Sequence, residues 1–101
     1  IRDRDYVMRN YKNPEISLTS AAEFASVSTG YLSGLFKKET GTNFVKYLTD
    51  VRMEKSMQLL RSTDMKTYEI AYETGFSNPH YFSVSFKKYT GMSPSEFRAK
   101  E

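Results

Sequence analysis

Cysteine is absent from the 101-residue chain, histidine occurs once, at His80, and proline only at Pro14, Pro79 and Pro94. Without cysteine there is no disulfide framework and no thiolate metal site, which suits a reducing compartment, so a cytoplasmic location is expected. One histidine and no cysteine leave neither a His/Cys metal cluster nor a nucleophile with its base. The aspartates Asp3, Asp5, Asp50 and Asp64 are scattered over expected helix ends and surface positions. The chain is therefore read as a non-enzyme with no metal and no cofactor. No apolar run approaches the roughly 18 residues that span a bilayer, and residues 1–11 carry no signal-peptide pattern. Alternating Val, Ile and Thr are missing too, which excludes a strand pattern and leaves an all-α fold.

What is present fits one folded domain. The apolar fraction of 39% and charged fraction of 27% are those of a globular protein rather than a disordered one. The net charge of +3 and the isoelectric point near 9.1 are only mildly basic, so the placement of the lysines matters more than their number. The chain opens on Ile1 rather than methionine, and it is expected to be an excised or processed piece of a longer protein.

A repeat organises the sequence. YLSGLFKKETG at Tyr31 to Gly41 and YFSVSFKKYTG at Tyr81 to Gly91 share seven of eleven positions without a gap. Upstream, Ala22 to Val27 resembles Ala71 to Phe76 at an offset of 49 rather than 50, so one copy has an extra residue in a turn. Each unit reads as a helix, a tight turn and a second helix. Ser28 is placed to cap one second helix, Asn78-Pro79 supplies a cap and an N1 proline for the other, and Gly41 and Gly91 end them. In the first copy Tyr31, Leu32, Leu35 and Phe36 are expected inward; in the second, Tyr81, Phe82, Phe86 and Tyr89. Gly30, Ser33, Gly34 and Lys37 then share an outward face, matched by His80, Ser83, Val84 and Lys87.

The rest of the chain completes seven helices. Residues 44–61, free of proline and glycine, predict a continuous rod about 18 residues and roughly 27 Å long, with Phe44, Leu48, Val51 or Arg52, Lys55 or Ser56, and Leu59 on its inward row. A first helix is expected over Arg2 to Tyr11, and a last one after the capping box Ser93-Pro94-Ser95-Glu96. The expected boundaries are about 17–41 and 66–91 for the two helix-turn-helix units, about 43–61 for the linker helix and 93–100 for the last helix.

A helix with a small, polar and basic outer face, following a short turn, is built to enter a DNA major groove. The base-facing candidates are Gly30, Ser33 and Gly34 in the first unit and Pro79, His80, Tyr81, Ser83 and Val84 in the second. Ser28, Thr29, Lys37 and Lys38, with Ser77, Asn78, Lys87 and Lys88, are the phosphate candidates, which position the protein without reading sequence. A lysine pair alone is usually a solvated face. Two pairs on the same face of a repeated unit are harder to assign to solubility.

With these segments, NFVKYLTDVRMEKSMQLL (Asn43 to Leu60) and EIAYETGFSNPHYFSVSFKKYTGMSPSEFR (Glu69 to Arg98), the chain resembles the AraC/XylS family of bacterial transcription regulators from about Tyr6 to Arg98. Its N-terminal arrangement is most similar to members with a C-terminal DNA-binding domain, response-regulator types included. The resemblance implies seven helices in two subdomains joined by a long linker helix, with recognition helices in successive major grooves of double-stranded DNA, about 34 Å apart. It also implies an upstream regulatory domain, dimerisation through that domain and contact with RNA polymerase. Where the family often has arginine, Gly34 and Val84 stand here, so modest base specificity is expected. The rival reading is a helical protein-interaction module that keeps the fold without binding DNA.

Overall fold

The computed structural model describes residues 2–100, with side-chain surroundings from Arg4 onward. Among the described residues the secondary structure is seven α-helices: α1 Arg2–Asn10, α2 Leu18–Ala25, α3 Thr29–Thr40, α4 Phe44–Ser62, α5 Thr67–Glu73, α6 Pro79–Thr90 and α7 Pro94–Lys100. The all-α reading and its helix count hold. The chain divides into two compact units, with the boundary between Val51 and Arg52, inside α4.

Local chemistry fixes the starts of these helices. Ser17 and Ser20 cap α2 reciprocally, Ser20 N–H donating to Ser17 Oγ at 3.1 Å and Ser17 N–H to Ser20 Oγ at 2.9 Å. Asn43 Oδ1 accepts from Lys46 N–H at 2.8 Å to open α4. Glu69 Oε1 accepts from Lys66 N–H at 2.8 Å ahead of α5. The expected box before α7 is present: Glu96 N–H donates to Ser93 Oγ at 3.1 Å and Ser93 N–H to Glu96 Oε1 at 2.8 Å. Each arrangement satisfies amide groups that a helix start otherwise leaves unpaired.

In the first unit Val7, Ile16, Ala21, Ala22, Leu32, Phe36, Phe44 and Leu48 form the core. In the second, Met53, Leu60, Ile70, Ala71, Phe76, Phe82, Phe86 and Phe97 do so. Fully burying a side chain the size of phenylalanine contributes about 1.5–3 kcal/mol, and Phe36, Phe82 and Phe86 are completely enclosed. Arg98 adds a polar tie in the second unit, its Nε donating to the Leu60 carbonyl at 3.1 Å and a terminal nitrogen to the Thr63 carbonyl at 3.0 Å. These bonds satisfy acceptors at the end of α4 and place positive charge at the negative pole of its dipole.

The internal repeat runs further than the F-K-K segment. Thr40 Oγ1 donates to the Phe36 carbonyl at 2.8 Å and Thr90 Oγ1 to the Phe86 carbonyl at 2.9 Å. Phe36 meets Tyr47 edge-on at 5.2 Å and 81°, and Phe86 meets Phe97 at 5.5 Å and 83°. By these contacts α7 is the counterpart of the first turns of α4. The extra residue of the second copy falls at Ser77. Val27 N–H reaches the Ala22 carbonyl at 3.0 Å and Phe76 N–H the Ala71 carbonyl at 2.9 Å, so the turns match until one residue before the Asn78 cap.

Two expectations about packing are corrected. Tyr31, Tyr81 and Tyr89 are 61%, 63% and 41% exposed, although all three were expected inward, and Leu35 is only half-buried. The buried row on each second helix is a narrow i, i+4 pair, Leu32 with Phe36 and Phe82 with Phe86, and the tyrosines lie beside it. On α4 the buried residues are Phe44 and Leu48, then Met53, Ser56 and Leu60. The expected row of Phe44, Leu48, Val51 or Arg52, Lys55 or Ser56, and Leu59 holds at Phe44, Leu48 and Ser56, whereas Val51, Arg52 and Leu59 are only partly buried and Met53 and Leu60 take the buried places, because the second half of the helix serves a different core.

Candidate nucleic-acid interface

In the first unit α2 ends at Ser26, whose backbone is left-handed at φ 60°, and Ser28 then accepts Tyr31 N–H at 3.1 Å to start α3. In the second unit Gly75 takes the left-handed position at φ 99°. Asn78 Oδ1 accepts from both His80 N–H, at 2.8 Å, and Tyr81 N–H, at 3.0 Å, and Pro79 opens α6. Both turns therefore fix the direction of the second helix by capping chemistry local to the turn.

On α3, Gly30, Ser33, Gly34, Lys37 and Lys38 are all exposed, as are Ser28 and Thr29 at its start. On α6, His80, Val84, Lys87 and Lys88 are exposed, Ser83 and Pro79 half-exposed, and Ser77 and Asn78 lie on the exposed turn. The structure thus brings each set of candidate residues onto one helix and its preceding turn. Tyr81 joins the exposed face: its ring sits 6.3 Å from that of Phe76, free on its outer side. The side-chain oxygens of Ser28 and Asn78 are engaged in capping, so their part in an interface is first to hold the helix start.

Two features were missed in the sequence. His80, Ser83, Val84, Lys87, Lys88 and Ser93 line a shallow depression of about 570 Å³ on the second unit, so the start of α7 borders the α6 face. Behind the turn, the Arg52 guanidinium lies 5.7 Å from the Phe76 ring centre, and burial pulls its pKa below the ordinary value. The interaction of a cation with an aromatic face supports the ring on which Tyr81 rests. Ser93 and Arg52 both lie outside the F-K-K repeat, and only the fold brings them to this face.

The lysine pairs stand in the last turns of α3 and α6, where positive charge is favourable against the helix dipole and free to meet an anion. Glu96 beside α6 is fully exposed, and its carboxyl is held below its usual pKa mainly by hydrogen bonds from Ser93, with a smaller part from the charge of Lys87. Among the described residues, no group of three or more His, Cys, Asp or Glu is placed to hold a metal ion. No described helix is long and apolar enough to cross a membrane.

Comparison with known proteins gives the same architecture a family. Residues 21–100 match the family described as helix-turn-helix domain. The chain is 49% identical over 92 residues to the transcriptional regulatory protein YesN of Bacillus subtilis (strain 168), a match covering 88% of this chain and 25% of that protein. It spans a quarter to about a third of the length of the curated relatives it matches. The C-terminal domain of AraT, a response regulator from Geobacillus stearothermophilus, superposes with a TM-score of 0.96 at 42% identity, covering 99% of this chain and 83% of that one. An AraC-type transcriptional regulator from Chromobacterium violaceum superposes with a TM-score of 0.85 at 28% identity, covering 98% of this chain and 88% of that one. With most of its length inside the matched family and its fold reproduced in these regulators, the chain belongs to the AraC-type helix-turn-helix family of bacterial transcription regulators.

Proposed function

We propose that this domain binds double-stranded DNA with α3 and α6 as recognition helices, each lying in a major groove and the two grooves successive along the duplex. The observation that carries the reading is the repetition of one outward strip in register, Ser33, Lys37 and Lys38 on α3 and the half-exposed Ser83 with exposed Lys87 and Lys88 on α6, each behind a capped turn. The lysines meet phosphates flanking the groove, with Thr29 and Ser77 at the helix starts. Gly30, Ser33 and Gly34, and Pro79, His80, Tyr81, Ser83 and Val84, face the bases. In the full-length cytoplasmic regulator an upstream regulatory domain controls this one and supplies dimerisation, and RNA polymerase is a further partner. The domain itself catalyses nothing.

The test is fluorescence anisotropy on a duplex of about 25 base pairs across a salt series, with the wild type and Lys37→Ala/Lys87→Ala. The wild type is expected to bind with a steep salt dependence, and the variant to lose about 0.9 slope units for each phosphate contact removed. An unchanged slope would remove the lysines from the interface. Absence of binding at low salt would replace the DNA reading with that of a protein-interaction module.

A further inference from the structure

The two strips are in register but not equal: Gly30 stands against His80, Ser33 against Ser83, Gly34 against Val84 and Lys37 against Lys87. Neither glycine is demanded by the fold. A Cβ built on Gly30 or Gly34 meets nothing within 4 Å, and the positive-φ glycines are Gly41, Gly75 and Gly91. Glycine in a helix interior lowers stability relative to alanine, so these positions carry a cost for which packing and backbone conformation give no return. What they leave is bare main chain on an exposed face, open to close approach.

The helix starts differ in the same sense. In α3 the N–H groups of Thr29 and Gly30 have no acceptor among the described residues, and the Ser28 oxygens serve Tyr31 and Leu32. In α6 the N1 residue is proline and the next two N–H groups both bond Asn78 Oδ1. Free helix-start donors suit a phosphate oxygen. The charges beside the helices differ as well: Glu96 borders Lys87, while the equivalent position in the first unit is Lys46, itself paired with Asp50 at 3.2 Å. Glu96 offsets part of the pull of Lys87 on phosphate.

We propose that the two units divide the labour on DNA: α3 anchors to the backbone with little regard for base identity, whereas α6 carries the sequence preference through His80, Ser83 and Val84. The inference rests on the DNA-binding reading above. Base pairs are distinguished in the major groove by donor and acceptor patterns and by the thymine methyl. The imidazole of His80 offers a donor and an acceptor when neutral, the Ser83 hydroxyl offers both, and Val84 presents an apolar surface for the methyl. On α3 only Ser33 reaches outward among the corresponding positions.

Selection from a pool of random duplexes with the whole chain, repeated with two double variants, tests this division. The wild type is expected to enrich one short block of defined base pairs. With His80→Ala/Val84→Ala the block flattens, and the preference for the selected site over random DNA falls about tenfold. With Gly30→Ala/Gly34→Ala the block persists, binding weakens several-fold on selected and random DNA alike, and the thermal midpoint rises. Two blocks of equal strength, enrichment that survives the α6 variant, or binding with no enrichment would each overturn the division of labour. Failure of the wild type to bind random duplex at low salt would instead overturn the DNA-binding reading itself.

Discussion

Ser56 on α4 and Thr74 at the end of α5 lie 3.2 Å apart, oxygen to oxygen, and both are completely buried. The Ser56 hydroxyl divides its one proton between Thr74 Oγ1 and the Arg52 carbonyl at 2.8 Å, and Thr74 Oγ1 donates to the Ile70 carbonyl at 2.8 Å. This pair ties the helix leading into the second unit to the turn that aims α6. Buried hydroxyls are tolerated because each has its partners inside the core.

Removing both members of the pair is expected to cost less than the two single removals added together. Ser56→Ala and Thr74→Val should each lower unfolding free energy by about 1 kcal/mol, while the double variant should cost clearly less than their sum, since no hydroxyl then lacks its neighbour. Urea unfolding of the four proteins closes the cycle. Additive losses would mean that the two hydroxyls act independently.

The two turns differ in how they meet the left-handed position. Gly75→Ala puts a Cβ at φ 99° and is expected to destabilise the chain by about 1–2 kcal/mol. Ser26→Gly relieves a similar strain at φ 60° but adds freedom to the unfolded chain, so it should change stability by less than about 1 kcal/mol. Denaturant midpoints of the two variants provide the comparison, and equal losses would contradict the assignment of strain.

Glu96 provides a pH-dependent prediction. Its carboxyl pKa is lowered from the ordinary 4.5, chiefly by hydrogen bonds from Ser93. The bonded carboxylate therefore favours the folded state at pH above that ordinary value, and the contribution is lost as pH falls through the lowered folded-state pKa. An NMR titration of the side-chain carboxyl should show a midpoint below 4.5, moving back toward it in Ser93→Ala. Glu96→Gln should flatten this part of the acid limb of the stability profile. An unshifted midpoint would remove the capping box as the cause.

The helix starts were legible in the sequence because caps are local: Ser28, Asn78-Pro79 and Ser93 with Glu96 act within three residues of themselves. The outward strip was legible because F-K-K recurs with one register. Inward tyrosines were not, since helical periodicity gives the direction of a buried stripe but not its width. A face two residues wide leaves Tyr31, Tyr81 and Tyr89 outside. The break in the buried row of α4 was hidden for a related reason: periodicity over 18 residues assumes one partner surface, and this helix has two. Arg52 under Phe76 and Ser93 beside α6 depend on contacts between distant segments, which no local pattern encodes.

The middle of α4 belongs fully to neither core. Thr49, Asp50 and Val51 are only partly covered, Val51 packing against the first core and Asp50 pairing with Lys46 at 3.2 Å. Opening it there would create two new helix ends, each with unsatisfied backbone groups. Glycine or proline at Thr49, Asp50 or Val51 would weaken the helix locally by lowering its propensity, and proline would also remove a main-chain donor.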